Sequence, residues 1–260
     1  MGFSINTNVA AMTANLHLSQ NNSALNQSIG SLASANKLGS ASNDASSLMI
    51  ANQLSSGASS FGQTMMNAND SVGMIQIADG AMQGISDNTE KIRTLTLQAS
   101  NSTLNAGNRA AIQKEIDGLM KSSSQIATST SYNGIQLLNG SSSGGDSNIQ
   151  DARMATLFSS PIDVTTQEGA MASLDVIDKG TTKINDIRSS LGASQNQLEA
   201  TIRNTSVSQI NALSAESQLR DVDFAAESAN FSKQNMMSQI GSFVQSQANA
   251  SASNVTRLFQ

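Results

Sequence analysis

Three carboxylates fall close together in the run DVDFAAE: Asp221, Asp223 and Glu227. Oxygen-only sets hold hard cations when a glycine turns the loop and the ligands follow a fixed order. Neither the glycine nor that order is present. The three stand where one helical pattern stops and another starts, a place where carboxylates cap the new helix and complement its positive end. They are read as caps of that helix start, and no metal is assigned. His17 is the single histidine and cysteine is absent. That count removes thiolate and imidazole metal sites, the two-histidine HExxH arrangement and Ser-His-Asp chemistry. His17 is taken as a buried or inter-subunit polar residue. No catalytic constellation is left, no cofactor is called for, and the chain is not expected to be an enzyme. With a net charge of −5 it has no basic stripe to neutralise phosphates, so nucleic acid is not an expected partner.

With chemistry excluded, the distribution of charge carries the argument. Apart from the α-amino group and His17, nothing in residues 1–36 ionises near neutrality, and residues 234–256 hold no acidic or basic side chain. Both ends are patterned. Ile5, Val9, Met12 and Leu16 step by four, three and four, as do Leu25, Ile29 and Leu32 by four and three, and Met237, Ile240 and Val244 continue the spacing near the other end, followed by Val255 and Leu258. An exposed helix normally carries Lys and Glu, so apolar stripes backed by Ser, Asn, Gln and Ala point to contact with other protein. These twelve residues are the candidate self-assembly interface. Alone, each end is expected to be mobile and to fold on a partner.

Between the ends the pattern is helical. Aromatics make up 3% of the chain and there is one proline, which favours long helices with thin seams over a compact aromatic core. Gly39 breaks the first stripe, Ser42 and Asn43 are N-cap candidates, and a helix is expected to run to about Ser100. Its seam is Leu54, Ala58, Phe61, Met65, Ala68, Val72 and Ile75, with a stammer-like slip of register before Ile92, Leu95 and Ala99. A shorter helix follows through Ile112, Ile116, Leu119 and Ile126. Tyr132-Asn133-Gly134 reads as a turn before a strand candidate at 135–138, and the apolar runs 154–158 and 162–164 are placed as a hairpin. Helix returns through Leu174, Ile177, Thr181, Ile184, Leu191, Leu198 and Ile202 to about Leu213. The fold class is mainly α: long antiparallel helices in coiled-coil-like bundles with a small β-hairpin region. The layout is symmetric, bare helix, seamed helix, variable middle, seamed helix, bare helix, and antiparallel packing of the seamed helices brings both bare ends to one pole. No segment approaches the roughly 18 consecutive apolar residues of a membrane span, so no membrane insertion is expected. A basic n-region with an apolar core is also lacking, which on the residues alone points to the cytoplasm.

Several blocks are specific enough to identify a family. SINTNVAAM at 4–12, KLGSASNDASSLMIANQL at 37–54 and SYNGIQLLNG at 131–140 are similar to the N-terminal half of bacterial flagellin, the flagellar filament subunit. IRSSLGASQNQLEATI at 187–202, LRDVDFAAESANFSK at 219–233 and QANASASNVTRLFQ at 247–260 resemble its C-terminal half. Ser31, Ala35, Lys37, Asn43 and Asp44 depart from the Arg, Gly, Arg and paired Asp usual around the second block, and the centre is short enough to leave no large outer domain.

The resemblance implies an inner helical domain from 1–39 and 227–260, a rod-like helical domain at 40–218 with its turn and hairpin region at 131–169, and an interdomain linker at 219–226, with Asp221, Asp223 and Glu227 as the linker carboxylates. It implies a structural protein that polymerises by non-closing contacts into a helical filament for swimming motility, its termini ordering on assembly. It implies type III export without a cleaved leader, which replaces the cytoplasmic reading with secretion to an extracellular flagellum. The export apparatus, an export chaperone and a cap protein are implied partners. Lys91, Leu95 and Glu115 match positions through which a host innate immune receptor recognises the family, with Lys91 where Arg is usual. Ser141, Ser142, Ser143 and Ser147 are candidates for O-glycosylation. Two alternatives stay open: a hook–filament junction protein of the same axial family, and a cytoplasmic coiled-coil adaptor.

Overall fold

The computed structural model describes residues 8–140 and 149–258. Among them are six helices, α1 (Val9–Ser34), α2 (Ala45–Ala99), α3 (Ala106–Ser129), α4 (Met154–Leu157), α5 (Gln167–Arg220) and α6 (Phe224–Leu258), and two short strands, β1 (Ser131–Tyr132) and β2 (Ile135–Gln136). The mainly helical class read from the sequence is the one observed. The chain divides into two compact units, 1–59 with 210–260, and 60–209.

Side-chain caps set the helix starts. Asn8 Oδ1 accepts from Ala11 N at 3.0 Å, and Asn105 Oδ1 accepts from Asn108 N at 2.8 Å. At α2 the cap is Asp44, not Ser42 or Asn43: its carboxylate accepts from Ser47 N at 3.0 Å and Ser47 Oγ at 2.6 Å. Those bonds to Ser47 hold the Asp44 carboxyl below its ordinary range. The C-terminal end of α2 is closed by Arg109, whose Nε and Nη2 reach the carbonyls of Ala99 and Asn101 at 3.0 and 2.9 Å. Asn133 and Gly134, both at positive φ, form the two-residue turn that pairs Tyr132 with Ile135.

The α2 seam is continuous. Its covered positions, Ala51, Leu54, Ala58, Phe61, Met65, Ala68, Ser71, Ile75, Ala78, Met82, Ile85, Thr89, Ile92, Thr96 and Ala99, alternate in steps of three and four except at Met65, Ala68 and Ser71, where two threes follow one another. The stammer-like slip is therefore present, but it lies at 65–71, and from Ser71 to Ala99 the steps alternate without a break. Counting only apolar residues left gaps at Thr89 and Thr96, yet both are buried, their hydroxyls donating to the carbonyls of Ile85 and Ile92 at 2.8 Å. On α5 the buried row is Ala170, Ser173, Ile177, Gly180, Ile184, Ile187 and Leu191, so Ser173 and Gly180 take the places expected for Leu174 and Thr181. In the unit 60–209 these rows meet Ile112 and Ile116 of α3 and a cap of Leu137, Leu138, Ile149, Leu157, Phe158, Ile162 and Val164 in one core. The crossing pairs Asp79–Arg188 (2.9 Å) and Arg93–Asp178 (2.8 Å), of opposite polarity, fix the register of α2 against α5.

The hairpin expected from 154–158 and 162–164 does not form: Met154–Leu157 is a helical turn, and the two-stranded sheet lies at 131–136 instead. The main-chain groups of 162–164 find side chains rather than a strand. Gln113 donates to the Ile162 carbonyl at 3.1 Å and accepts from Val164 N at 2.8 Å, and Ser173 Oγ is 3.0 Å from both the N and O of Asp163.

Candidate self-assembly interface

The unit 1–59 with 210–260 is built on an antiparallel pair, α1 and α6. The α1 seam is Ala11, Ala14, Leu18, Asn21, Leu25, Ser28 and Leu32, and the α6 seam is Glu227, Phe231, Gln234, Ser238, Gly241, Gln245, Ala248 and Ala252. Both rows step by three and four, and apart from Leu18, Leu25, Leu32 and Phe231 they are small or polar. Asn8 Nδ2 donates to the Ala248 carbonyl at 3.0 Å, Asn21 Nδ2 to the Gln234 carbonyl at 2.7 Å, Ser28 Oγ to Gln234 Oε1 at 3.0 Å and Ser238 Oγ to Asn22 Oδ1 at 2.8 Å. A β-carbon on Gly241 would lie 3.1 Å from Leu18 Cδ1, so the glycine is what lets Leu18 close onto α6.

A seam with so few large residues leaves most of the others outside. Val9 and Leu16 fall seven residues apart on the face of α1 opposite its seam, with Met12 between them, and all three are exposed, as is Ile29. Leu25 and Leu32, grouped with them by spacing alone, are half-buried in the seam and belong to the pairing of the two helices. On α6, Met237, Ile240 and Val244 are exposed and stand on a ridge with Met236 and Phe243, the last 70% exposed. Phe243 escaped the sequence reading, although Met236, Ile240 and Phe243 step by four and three. Ile5 lies outside the described residues, as do the side chains of Val255 and Leu258. His17 is exposed on α1 rather than buried.

The linker carboxylates have separate tasks. Asp223 Oδ1 accepts from the backbone N–H groups of Ala225 and Ala226 at 3.0 and 3.1 Å and caps α6. Asp221 accepts from Ser217 Oγ and forms an isolated bridge with Asn36, flanked by Lys37 N to the Arg220 carbonyl at 2.7 Å and Val222 N to the Ala35 carbonyl at 3.3 Å. Glu227 lies in the first turn of α6, 3.5 Å from Asn230 Nδ2. Arg220 ties the end of α5 to its surroundings through Glu216 at 2.6 Å and Asn52 at 2.8 Å. Lys91 and Glu115 are exposed, on α2 and α3, while Leu95 packs against the core one turn from Lys91. Ser141, Ser142, Ser143 and Ser147 lie outside the described residues.

Such an arrangement can do one thing well. Isolated uncovered apolar side chains are ordinary, but a charge-free ridge of them, beside a seam made mostly of small and polar residues, is the kind of surface that another protein covers.

Comparison with known proteins is consistent with that geometry. The family described as bacterial flagellin N-terminal helical region matches residues 5–143, and bacterial flagellin C-terminal helical region matches residues 174–259. The flagellin of Bacillus subtilis is 30% identical, the alignment spanning 98% of this chain and 99% of that one. The flagellar filament 31.3 kDa core protein of Treponema maltophilum is 29% identical over the same shares. The flagellar filament 33 kDa core protein of Treponema phagedenis is 28% identical, again over 98% and 99%.

Proposed function

Because the chain belongs to the bacterial flagellin family, we propose that it polymerises through the outward ridges of α1 and α6. It is a structural subunit of the helical bacterial flagellar filament, an extracellular component of the cell. The observation that carries the assembly reading is the exposed row Met236, Met237, Ile240, Phe243 and Val244 in a stretch without one ionisable side chain. Each large apolar side chain is worth about 1.5–3 kcal/mol on full burial, and water gains nothing from leaving five of them uncovered. Val9, Met12, Leu16 and Ile29 on α1 are a second exposed apolar set in the other uncharged end.

Assembly completes what the α1–α6 pair begins. Its largely small and polar seam holds the two helices in register through side-chain amides and hydroxyls, and covering the apolar ridges by neighbouring copies supplies the hydrophobic term that orders them fully. On this reading 1–39 and 227–260 form the inner domain of the filament, 219–226 the linker and 40–218 the second domain. Uncharged walls of Ser, Asn and Gln suit a channel through which later subunits travel unfolded. Export by the flagellar type III apparatus, escort by a chaperone and placement by a cap protein belong to the same proposal.

Seeded elongation tests it. Purified subunits added to sonicated filament seeds extend them into filaments visible by electron microscopy. Subunits that stay dispersed at every concentration, with α1 and α6 protected from protease, favour the coiled-coil adaptor instead. Lys91, Leu95 and Glu115 form a contact for the host innate immune flagellin receptor, and monomer that gives no signal in receptor reporter cells refutes that part alone.

A further inference from the structure

A filament of one kind of subunit grows by heterologous contacts, in which a patch on one copy meets a different patch on the next. The α6 ridge therefore requires an unlike partner surface on the same chain. We propose that this counter-surface is the face of α5 around Ile210 and Leu213, and that it receives Met236, Ile240 and Phe243 of a second copy, the two helices running antiparallel. The proposal rests on the assembly reading above and specifies its partner surface.

Ile210 and Leu213 are exposed, and Val207 lies exposed one turn earlier on the same helix. They occupy the longest interval of α5 that lacks ionisable residues, 204–215, bounded by Arg203 and Glu216. The charge-free signature of the chain ends thus recurs here, inside a helix that is charged on either side. Lengths agree: at about 1.5 Å per residue, 207–213 spans about 9 Å and 236–243 about 10.5 Å. Charge then selects direction. A parallel pairing with Ile210 against Ile240 brings Arg203 over Lys233, since each lies seven residues earlier. The antiparallel pairing carries Lys233 to Ser217, one turn from Asp221, and sets Arg203 against uncharged Gln247.

A complementary-charge copolymer tests the pairing. Ile210→Lys spoils the α5 face and leaves the α6 ridge intact; Ile240→Glu does the reverse. Each variant alone is expected to lose elongation of wild-type seeds, with a critical concentration raised at least tenfold. An equimolar mixture, able to alternate Lys against Glu and Ile against Ile, is expected to regain it. Single variants that elongate within twofold of wild type, or a mixture as inert as its components, overturn the inference. Because the chain has no cysteine, a milder measurement stands beside this one. Filaments of Ile210→Cys/Ile240→Cys, once oxidised, are expected to give a ladder of dimers, trimers and higher species, and each single-cysteine variant none. Monomer alone from the double variant, or dimers from a single variant, overturns it equally. Wild-type subunits that fail to extend seeds sink the assembly reading; wild type that elongates while the pairing tests fail sinks only this one.

Discussion

Replacing Gly180 by alanine is expected to destabilise the unit 60–209, although alanine is the better helix former. Gly180 is buried in the middle of α5, and a β-carbon there would lie 2.7 Å from Cδ1 and 3.2 Å from Cζ of Phe158, and closer still to Cε1. Phe158 is 5% exposed in the core beside Ile162 and Val164, so its ring has no free space to enter. Overpacking of this kind costs about 1–3 kcal/mol, against a gain of about 1 kcal/mol from the helix preference of alanine over glycine. Contact with three ring atoms puts the cost at the upper end, for a net loss of about 1–2 kcal/mol. With about 2–4 °C per kcal/mol in a unit of this size, the midpoint should fall by about 2–8 °C. Thermal unfolding followed by circular dichroism at 222 nm reads this directly. Gly118→Ala on α3 is the control, because its β-carbon meets nothing within 4 Å and the same preference should stabilise it by up to about 1 kcal/mol. Adding Phe158→Leu to Gly180→Ala should recover part of the loss, as a coupled pair must. Gly180→Ala melting at or above wild type refutes the packing argument.

Other perturbations have equally definite signs. The Asp151 carboxyl is held down to about 2, first by the side-chain bonds from Arg153, whose Nη2 lies at 2.7 Å, and also by Thr156 Oγ1 at 3.0 Å. The stability it contributes is present above the usual carboxylate range near 4 and is lost as the pH falls toward 2. With half-exposed Arg153 screened by water this is worth about 1 kcal/mol, so melting between pH 4 and pH 2 should be flatter in Asp151→Asn than in wild type. Thr96→Val replaces a buried hydroxyl whose acceptor is a helix carbonyl; chemical denaturation should show a change within about 1 kcal/mol, toward greater stability. Asp223→Ala removes two N-cap bonds from α6 and should cost about 1 kcal/mol of local stability, seen as faster amide exchange at Ala225 and Ala226.

How much of this was legible in advance depends on what each position asks of its residue. Long helices with heptad seams were visible wherever Ile, Leu and Met occupy the seam, as at Ile75, Met82 and Ile85. They were misread where Thr89 and Thr96 do, because a threonine that satisfies its hydroxyl on its own helix packs like valine and scores as polar. Gly180 and Ser173 were missed for a related reason. One is defined by the ring it admits and the other by the main chain it holds, and neither leaves a trace in periodicity. The segment 162–164 looked like a strand because its apolar residues are real core residues; the partner that satisfies its backbone is Gln113, distant in sequence and unremarkable in type. At the ends, spacing found the outward stripes but merged them with Leu25 and Leu32 of the seam. The α6 seam itself, Gln234, Ser238, Gly241 and Gln245, is invisible to any count of apolar residues.

The central claim is that the exposed large apolar residues of α6, Met236, Met237, Ile240, Phe243 and Val244, serve contacts between copies and not the fold of one copy. Phe243→Ser tests it most directly, through the critical concentration for seeded elongation measured beside amide exchange of the monomer. Phe243 is already about a third covered, so its loss should withdraw about 1–2 kcal/mol from each subunit addition, which raises the critical concentration about 5–30-fold and leaves α6 exchange in the monomer unchanged. An unchanged critical concentration, or a monomer whose α6 exchanges faster while elongation holds, contradicts the account.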